Sequence, residues 1–312
     1  MKFHLFEPIY MERVWGGTRF ASELGRILPR GKIIGESWDI VDRPEAQSRT
    51  SEGLSIRELL QTDPEGIMGT DWPTDRPFPI LVKWLDCREK LSLQVHPPAA
   101  VATELGGEPK TENWYIAAAD PGATLMAGLR KGVARKSFEA GLKANNLEPF
   151  VHRIDVHAGE SIFIPSGRLH AIGGGNLILE IQQNSDTTYR VFDWGRVGLD
   201  GMPRQLHIDA SLKSIDFDDF EPDTIKATEG DQTLVKSDVF NLRKICLQAD
   251  ESLSFELGQP RILSLVNGEL EEADGSMVRL GDNVLLPAKN DFNFTAKCPT
   301  ELLLTENFVK PA

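Results

Sequence analysis

The stretch "AGESIFIPSGRLH", residues 158–170, sets glycine and proline turns on either side of a short apolar run. Gly159 is followed by five residues, Pro165, one residue, Gly167, two residues and then His170. The Gly and Pro build a turn between strands, and His170 projects from the strand that follows. Part of the pattern recurs at "LGDNVLLPA", 280–288, where Gly281 and Pro287 keep the spacing. The second copy continues with Ala288, Lys289 and Asn290 and lacks the later Gly and His. Two related small β-barrels, one with a site and one without, would give this pattern.

The rest of the chain has the same texture. Glycine (27) and proline (19) punctuate many short apolar segments, which predicts a mainly β fold with few short helices. Strands are expected at 80–86, 91–96, 113–119, 151–156, 161–165, 177–183 and 188–194, then at 240–247, 261–266, 277–286 and 301–308. Ser55 and Glu58 in "LSIRELLQ" have capping-box spacing for a helix, and 136–150 has room for one or two more. Acidic and small polar residues replace the apolar rhythm at 214–232, which predicts a linker. The expected domains are therefore 1–225, with the site, and 226–312, a smaller β-barrel without one.

"LSLQVHP", 91–97, alternates strictly: Leu91, Leu93 and Val95 on one face, Ser92, Gln94 and His96 on the other. A solvent face would carry Lys, Glu and Thr. A hydroxyl, an amide and an imidazole suit a barrel lumen with something to hold. "KTENWY" adds Glu112, and His96, Glu112 and His170 together are a donor set for a divalent transition metal, with Gln94 as a further oxygen. His4, His152, His157 and His207 are taken as structural.

"LHAIGGGNLILEIQQNSDTTYRVFDWGR", 169–196, contains a "GGGN" that reads as a hairpin turn, since a strand follows it and a nucleotide loop needs a helix. Glu180 and Arg190 stand among apolar residues, where a charge needs a partner or a function.

The 159–170 spacing resembles the second signature of the cupin barrel. Beyond that, "PILVKWLDCREK", "LSLQVHP", "KTENWYI", "GESIFIPSGRLHAIG" and "LEIQQNSDTTYRVFDWGR", in this order, resemble type I mannose-6-phosphate isomerases of the short bacterial form. The resemblance spans about residues 1–216. It implies two cupin-type (jelly-roll) barrels and one Zn2+ per chain, held by Gln94, His96, Glu112 and His170. It further implies catalytic roles for Arg190, Lys110 and Glu180, and phosphate binding by Ser92 and Arg196. The implied reaction interconverts mannose 6-phosphate and fructose 6-phosphate through a cis-enediol(ate). One departure is "PPAA", Pro97 to Ala100, where the family usually has acidic residues.

The formal net charge of −13 argues against nucleic acid or an anionic membrane as a partner, but not against a small sugar phosphate held by clustered Arg and Lys. The N-terminal stretch has no signal-peptide core, and no apolar run approaches the roughly 18 residues of a membrane helix. Three cysteines in no metal-like spacing suit a reducing cytoplasm. Two rival readings fit parts of the pattern. Two His and one carboxylate also bind Fe(II) in oxygenases, against which Gln94 and the pair Arg190 and Arg196 speak. A non-catalytic sugar-binding cupin would bind ligand without turnover.

Overall fold

Alternating and short apolar runs between glycine turns produce a mainly β chain, seen in a computed structural model that describes residues 2–70, 72–73 and 75–308. The chain forms two compact units that are not continuous in sequence. One gathers residues 10–37 and 84–227; the other gathers the residues up to Ile9, 38–83 and those from Thr228 onward. The last crossing lies two residues from the expected 225/226 boundary, while 38–83 share a unit with the C-terminal barrel residues.

The first of these units is built on two sheets, of which β1, β2 and β3 also run partly into the other unit's residues. Its strands are β1 (Ile9–Gly17), β2 (Ile34–Ile40), β3 (Ile80–Cys87), β4 (Leu93–Val95), β5 (Glu112–Ala119) and β6 (Thr124–Leu129). They continue with β7 (Val151–Asp155), β8 (Ser161–Ile164), β9 (His170–Ile172), β10 (Asn176–Gln183) and β11 (Tyr189–Phe192). One sheet runs β8-β5-β10-β3-β2-β1, the other β7-β6-β9-β4-β11. Trp114, Ile116, Leu125, Ile162, Ile164 and Ile178 belong to one buried cluster that draws on strands of both sheets. Residues paired directly across an antiparallel ladder share a face, so Glu112, opposite Gln182, and Trp114, opposite Glu180, face the same way. That strand face thus carries polar groups beside the apolar cluster.

In the other unit, the largest sheet pairs His4–Leu5 with β18 (Asn283–Leu286). It continues through β15 (Arg261–Asn267), β20 (Thr300–Glu306) and β13 (Asn241–Leu247) to β12 (Gln232–Lys236). The second sheet has β14 (Ser252–Phe255), β19 (Phe292–Ala296), β16 (Glu269–Glu272) and β17 (Met277–Arg279). Leu263, Leu265, Val284, Phe292, Phe294 and Leu304 lie in its apolar core. No metal-like cluster is found there among the described residues.

The repeated turn has the same geometry in both units. Gly159 and Gly281 adopt φ of +85° and +87°, values that L side chains rarely reach. Each is followed by a buried strand, β8 or β18, that stops before Pro165 or Pro287, where a ladder donor is missing.

Most expected strands form, with two kinds of difference. The run 277–286 divides into β17 and β18 because the turn at Gly281 interrupts it. Strands such as β1, β2, β6 and β9 were missed; β6 carries Gly128 at φ +67°, and "IYMERVWGG" in β1 has no alternation. The Ser55–Glu58 capping box forms and starts the helix Ile56–Thr62, and 136–150 holds the helix Arg135–Lys143 and the turn Glu148–Phe150. The acidic 214–232 stretch is more than a linker. Asp219 takes both arms of Arg168 (2.7 and 2.8 Å), Thr224 donates to the buried Glu160 (2.7 Å), and Ile225 bridges to Ser161. Its charges are used in packing, which its composition concealed. Among the described residues, no helix is long and apolar enough to cross a membrane.

Candidate metal centre

Three turns deliver the candidate ligands. His96 follows β4, Glu112 opens β5 and His170 opens β9, and all three are buried. Gly167, in the Pro165–His170 turn, donates its N–H to the His96 carbonyl (2.8 Å), which joins two of these turns. One ligand atom from each residue lies within 4.8 Å of those from the other two. His96 Nε2 stands 3.3 Å from Glu112 Oε2, and His170 Nε2 stands 3.7 Å from Glu112 Oε1.

The other nitrogen of each ring fixes its orientation. His96 Nδ1 meets the Thr187 carbonyl at 2.8 Å, and His170 Nδ1 meets the Arg168 carbonyl at 2.9 Å. A carbonyl can only accept, so both Nδ1 atoms carry the proton and both Nε2 atoms present a lone pair to Glu112. His96 Nε2, His170 Nε2 and both Glu112 oxygens are buried without a hydrogen-bond partner. Four acceptors gathered at one place, with only the Lys110 ammonium near one of them (2.9 Å from Glu112 Oε2), would be costly in a metal-free protein. A divalent cation accepts all of them at once, so the residues present fit a metal.

Charge balance agrees. Burial pushes the Glu112 carboxyl up, but the charge of Lys110 leads the influences that outweigh it and hold it well below the usual carboxylate range. The Lys110 ammonium is 2.9 Å from Glu112 Oε2 and 3.8 Å from Glu180 Oε1. Burial pulls its pKa down, but Glu112 and Glu180 raise it above the ordinary lysine value, so it stays charged. Burial and then the neighbouring His96 drive His170 down to about 3, and burial and then Lys110 lower His96. Both rings are thus neutral, as ligation requires.

The remaining expected site residues are arranged around this cluster. Gln94 on β4 pairs with His170 on one side and Arg190 on the other, so these three side chains share a face across three strands. Glu180 Oε2 accepts from the Trp114 indole N–H (2.9 Å). Arg190 donates through Nη1 to the Gln205 carbonyl (2.7 Å), while its buried Nε has no partner. Among the described residues no carboxylate lies within ion-pair distance of Arg190; Asp193 is held by Arg196 and Arg204 instead. Ser92 is buried just before β4. Arg196 Nη1 reaches the Lys90 carbonyl (2.5 Å), two residues upstream of Ser92. Of the histidines set aside as structural, His207 accepts the Arg190 peptide N–H on Nδ1 (3.1 Å).

Sequence reasoning missed the groups that hold the ligands. The carbonyls of Thr187 and Arg168 carry no signal in residue type. Ser166, whose hydroxyl accepts the Lys110 N–H (3.1 Å), and Trp114 were visible only as parts of longer motifs.

The profile described as phosphomannose isomerase type I, catalytic domain, matches residues 4–127. Mannose-6-phosphate isomerase ManA of Bacillus subtilis is 33% identical over 297 residues, covering 90% of this chain and 92% of its own. The chain belongs to the type I phosphomannose isomerase family. A crystal structure of the mannose 6-phosphate isomerase from Bacillus subtilis matches 98% of this chain and 99% of its own, with a TM-score of 0.86 and 28% identity. A mannose 6-phosphate isomerase bound with zinc and yttrium has the same fold, with a TM-score of 0.75 at 16% identity and coverage of 99% and 100%. Family membership makes the chain an aldose–ketose isomerase of cupin fold, and neither the oxygenase nor the non-catalytic reading is retained.

Two outcomes follow from this geometry. His170→Ala should lose most divalent transition metal, by elemental analysis, while remaining folded; full occupancy would contradict the ligand assignment. In metal-free protein, His170 stays neutral in the fold but takes a proton in the unfolded chain below about 6.5. Its lowered pKa therefore makes stability fall as pH drops from about 6.5 toward the folded value of about 3. His170→Asn removes one such proton, so its acid-side slope in denaturation experiments should be shallower by up to about 1.4 kcal/mol per pH unit. Identical slopes would contradict the neutral buried ring.

Proposed function

We propose that this isomerase interconverts mannose 6-phosphate and fructose 6-phosphate through a cis-enediol(ate), with one zinc held by His96, Glu112 and His170 and by Gln94 beside them. The observation that carries the metal reading is the set of four buried acceptor atoms converging from His96, Glu112 and His170, which the single Lys110 ammonium beside Glu112 cannot satisfy. The related fold described as bound with zinc supports the choice of ion. Zinc, when bound, polarises the oxygens on C1 and C2 of the opened sugar and has no redox chemistry of its own.

The chain's own residues then have separable tasks. Lys110 is a buried, charged donor between Glu112 and Glu180, placed to share a proton with a substrate oxygen. Glu180, held by Trp114 on one oxygen, is the adjacent carboxylate that can take and return the proton moved between the two carbons. Ser92 and Arg196 bind the phosphate, the guanidinium by parallel hydrogen bonds and the hydroxyl from the strand edge. The substrate is a small phosphorylated sugar, with no nucleic acid or membrane partner. Three free cysteines, Cys87, Cys246 and Cys298, support a cytoplasmic place.

Arg190 acts on the transition state. Its guanidinium is half-buried with an unpartnered Nε and no carboxylate to neutralise it. The enediolate oxygens supply that negative charge, and carry more of it in the transition state than in bound sugar. Removing such a preorganised donor typically costs about 3–4 kcal/mol, or roughly 100- to 1000-fold in turnover. Arg190→Ala should lower kcat by that factor at nearly unchanged melting temperature, and Arg190→Lys should recover little, since it loses the planar fork. A variant that is less stable but turns over at the full rate per folded molecule would overturn the role.

A further inference from the structure

Asp193 gathers more positive charge than it can neutralise. Its Oδ1 accepts from Arg196 Nη2 (2.9 Å) and Arg204 Nη2 (2.5 Å), and its Oδ2 accepts from Arg204 Nε (2.6 Å). Arg190 feels both of the other guanidiniums, whose repulsion adds to burial in lowering its pKa. Lys90, close by in sequence to Ser92, is engaged elsewhere, with its ammonium 2.8 Å from Glu148 and 3.3 Å over the Trp194 ring.

Two guanidiniums thus share one carboxylate, with that of Arg190 close enough to be repelled by both, in a chain whose formal net charge is −13. Holding like charges together is unfavourable unless an anion joins them. The unused donors point to such an anion. Arg196 Nε and Arg190 Nε are buried without partners, and Arg204 Nη1 makes no hydrogen bond among the described residues. The side chains of Arg196 and Arg204 are 16% and 20% exposed, so each keeps an edge within reach of a ligand.

The backbone is shaped to present this pair. Trp194 and Gly195 both take positive φ (58° and 72°), and the Arg196 N–H returns to the Asp193 carbonyl (3.0 Å), a tight reversal that sets Arg196 over Asp193. Trp194 is fixed there by its indole N–H on the Leu91 carbonyl (2.7 Å). The hairpin that follows closes through a bridge between Val197 and Pro203, which brings Arg204 back beside Arg196.

We propose that Arg204 is a second phosphate-binding guanidinium of this site, and that Asp193 is the positioning residue that holds Arg196 and Arg204 for a dianionic phosphate. The positive charge left over after Asp193 is neutralised is available to the phosphate of a sugar phosphate. The inference rests on the reading of Arg196 as a phosphate ligand and adds to it a residue and a positioning device. Without Asp193 the two guanidiniums would repel and splay, so phosphate affinity would fall even though a negative charge had been removed.

The test is steady-state kinetics of the holoenzyme on mannose 6-phosphate, with inorganic phosphate as the competing probe, and thermal melting of the same preparations. Arg204→Gln should raise KM and weaken phosphate inhibition together by about 10- to 100-fold, the range of a charge-assisted hydrogen bond, with a smaller change in kcat. Asp193→Asn should move KM and phosphate inhibition the same way, and Asp193→Glu should recover part of the loss. Arg204 serving only to pin the hairpin would lower the melting temperature and leave both phosphate readouts within twofold of wild type, and that result overturns the inference. If Arg204→Gln does not fold, Arg204→Lys decides by the same readouts. Arg196→Gln separates the two levels: if it weakens phosphate binding and the Arg204 variants do not, this inference alone fails. If neither position matters, the phosphate reading fails with it.

Discussion

The buried carboxylate of Glu112 is the constraint around which the site is arranged. An ionised carboxylate with no water access is tolerable only with compensating charge and hydrogen bonds. Lys110 supplies one positive charge 2.9 Å from Oε2, which leaves Oε1 and the two imidazole Nε2 atoms without a partner. The two nearest rings cannot help by protonation, because burial keeps both neutral and their protons are committed to backbone carbonyls. What remains is a concentrated set of lone pairs that a dication satisfies and that no arrangement of these side chains satisfies by itself.

That requirement explains where the turns are. The Pro165–Gly167 turn sets the Arg168 carbonyl under His170 and ties its own Gly167 N–H to His96. The 184–188 segment brings the Thr187 carbonyl to the other face of His96. On the adjoining strands, Gln94 lies between His170 and Arg190 in register, which sets the guanidinium proposed to act on the transition state one strand from the Gln94 strand. The candidate residues Gln94, His170 and Arg190 therefore share one row of the β9-β4-β11 sheet, while Glu180 on β10 and Lys110 just before β5 meet each other at 3.8 Å.

The parts of this arrangement that local residue patterns encode were legible in the sequence. Gly159, Pro165 and His170 form one turn, the alternation at 91–97 marks one strand face, and Ser55 with Glu58 marks one helix start; each is a relation within about a dozen residues. What depended on distant pairing was not. Residues 38–83 join a unit with the residues beyond Thr228, which no local period announces. The acidic 214–232 stretch looked solvated because its partners, Arg168, Glu160 and Ser161, lie some fifty residues or more upstream. Arg204 was passed over for the same reason, since its place beside Asp193 depends on a hairpin closing at Val197 and Pro203. Carbonyl ligands to the histidines leave no trace in residue identity at all.

The account's central claim is that the His96–Glu112–His170 cluster is completed by one metal ion and that isomerisation depends on it. The direct measurement is a titration of zinc into chelated, metal-free protein, followed by turnover of mannose 6-phosphate to fructose 6-phosphate. The account predicts negligible turnover at the start and a linear rise that saturates at one ion per chain. Full turnover by protein that elemental analysis finds free of metal would contradict it.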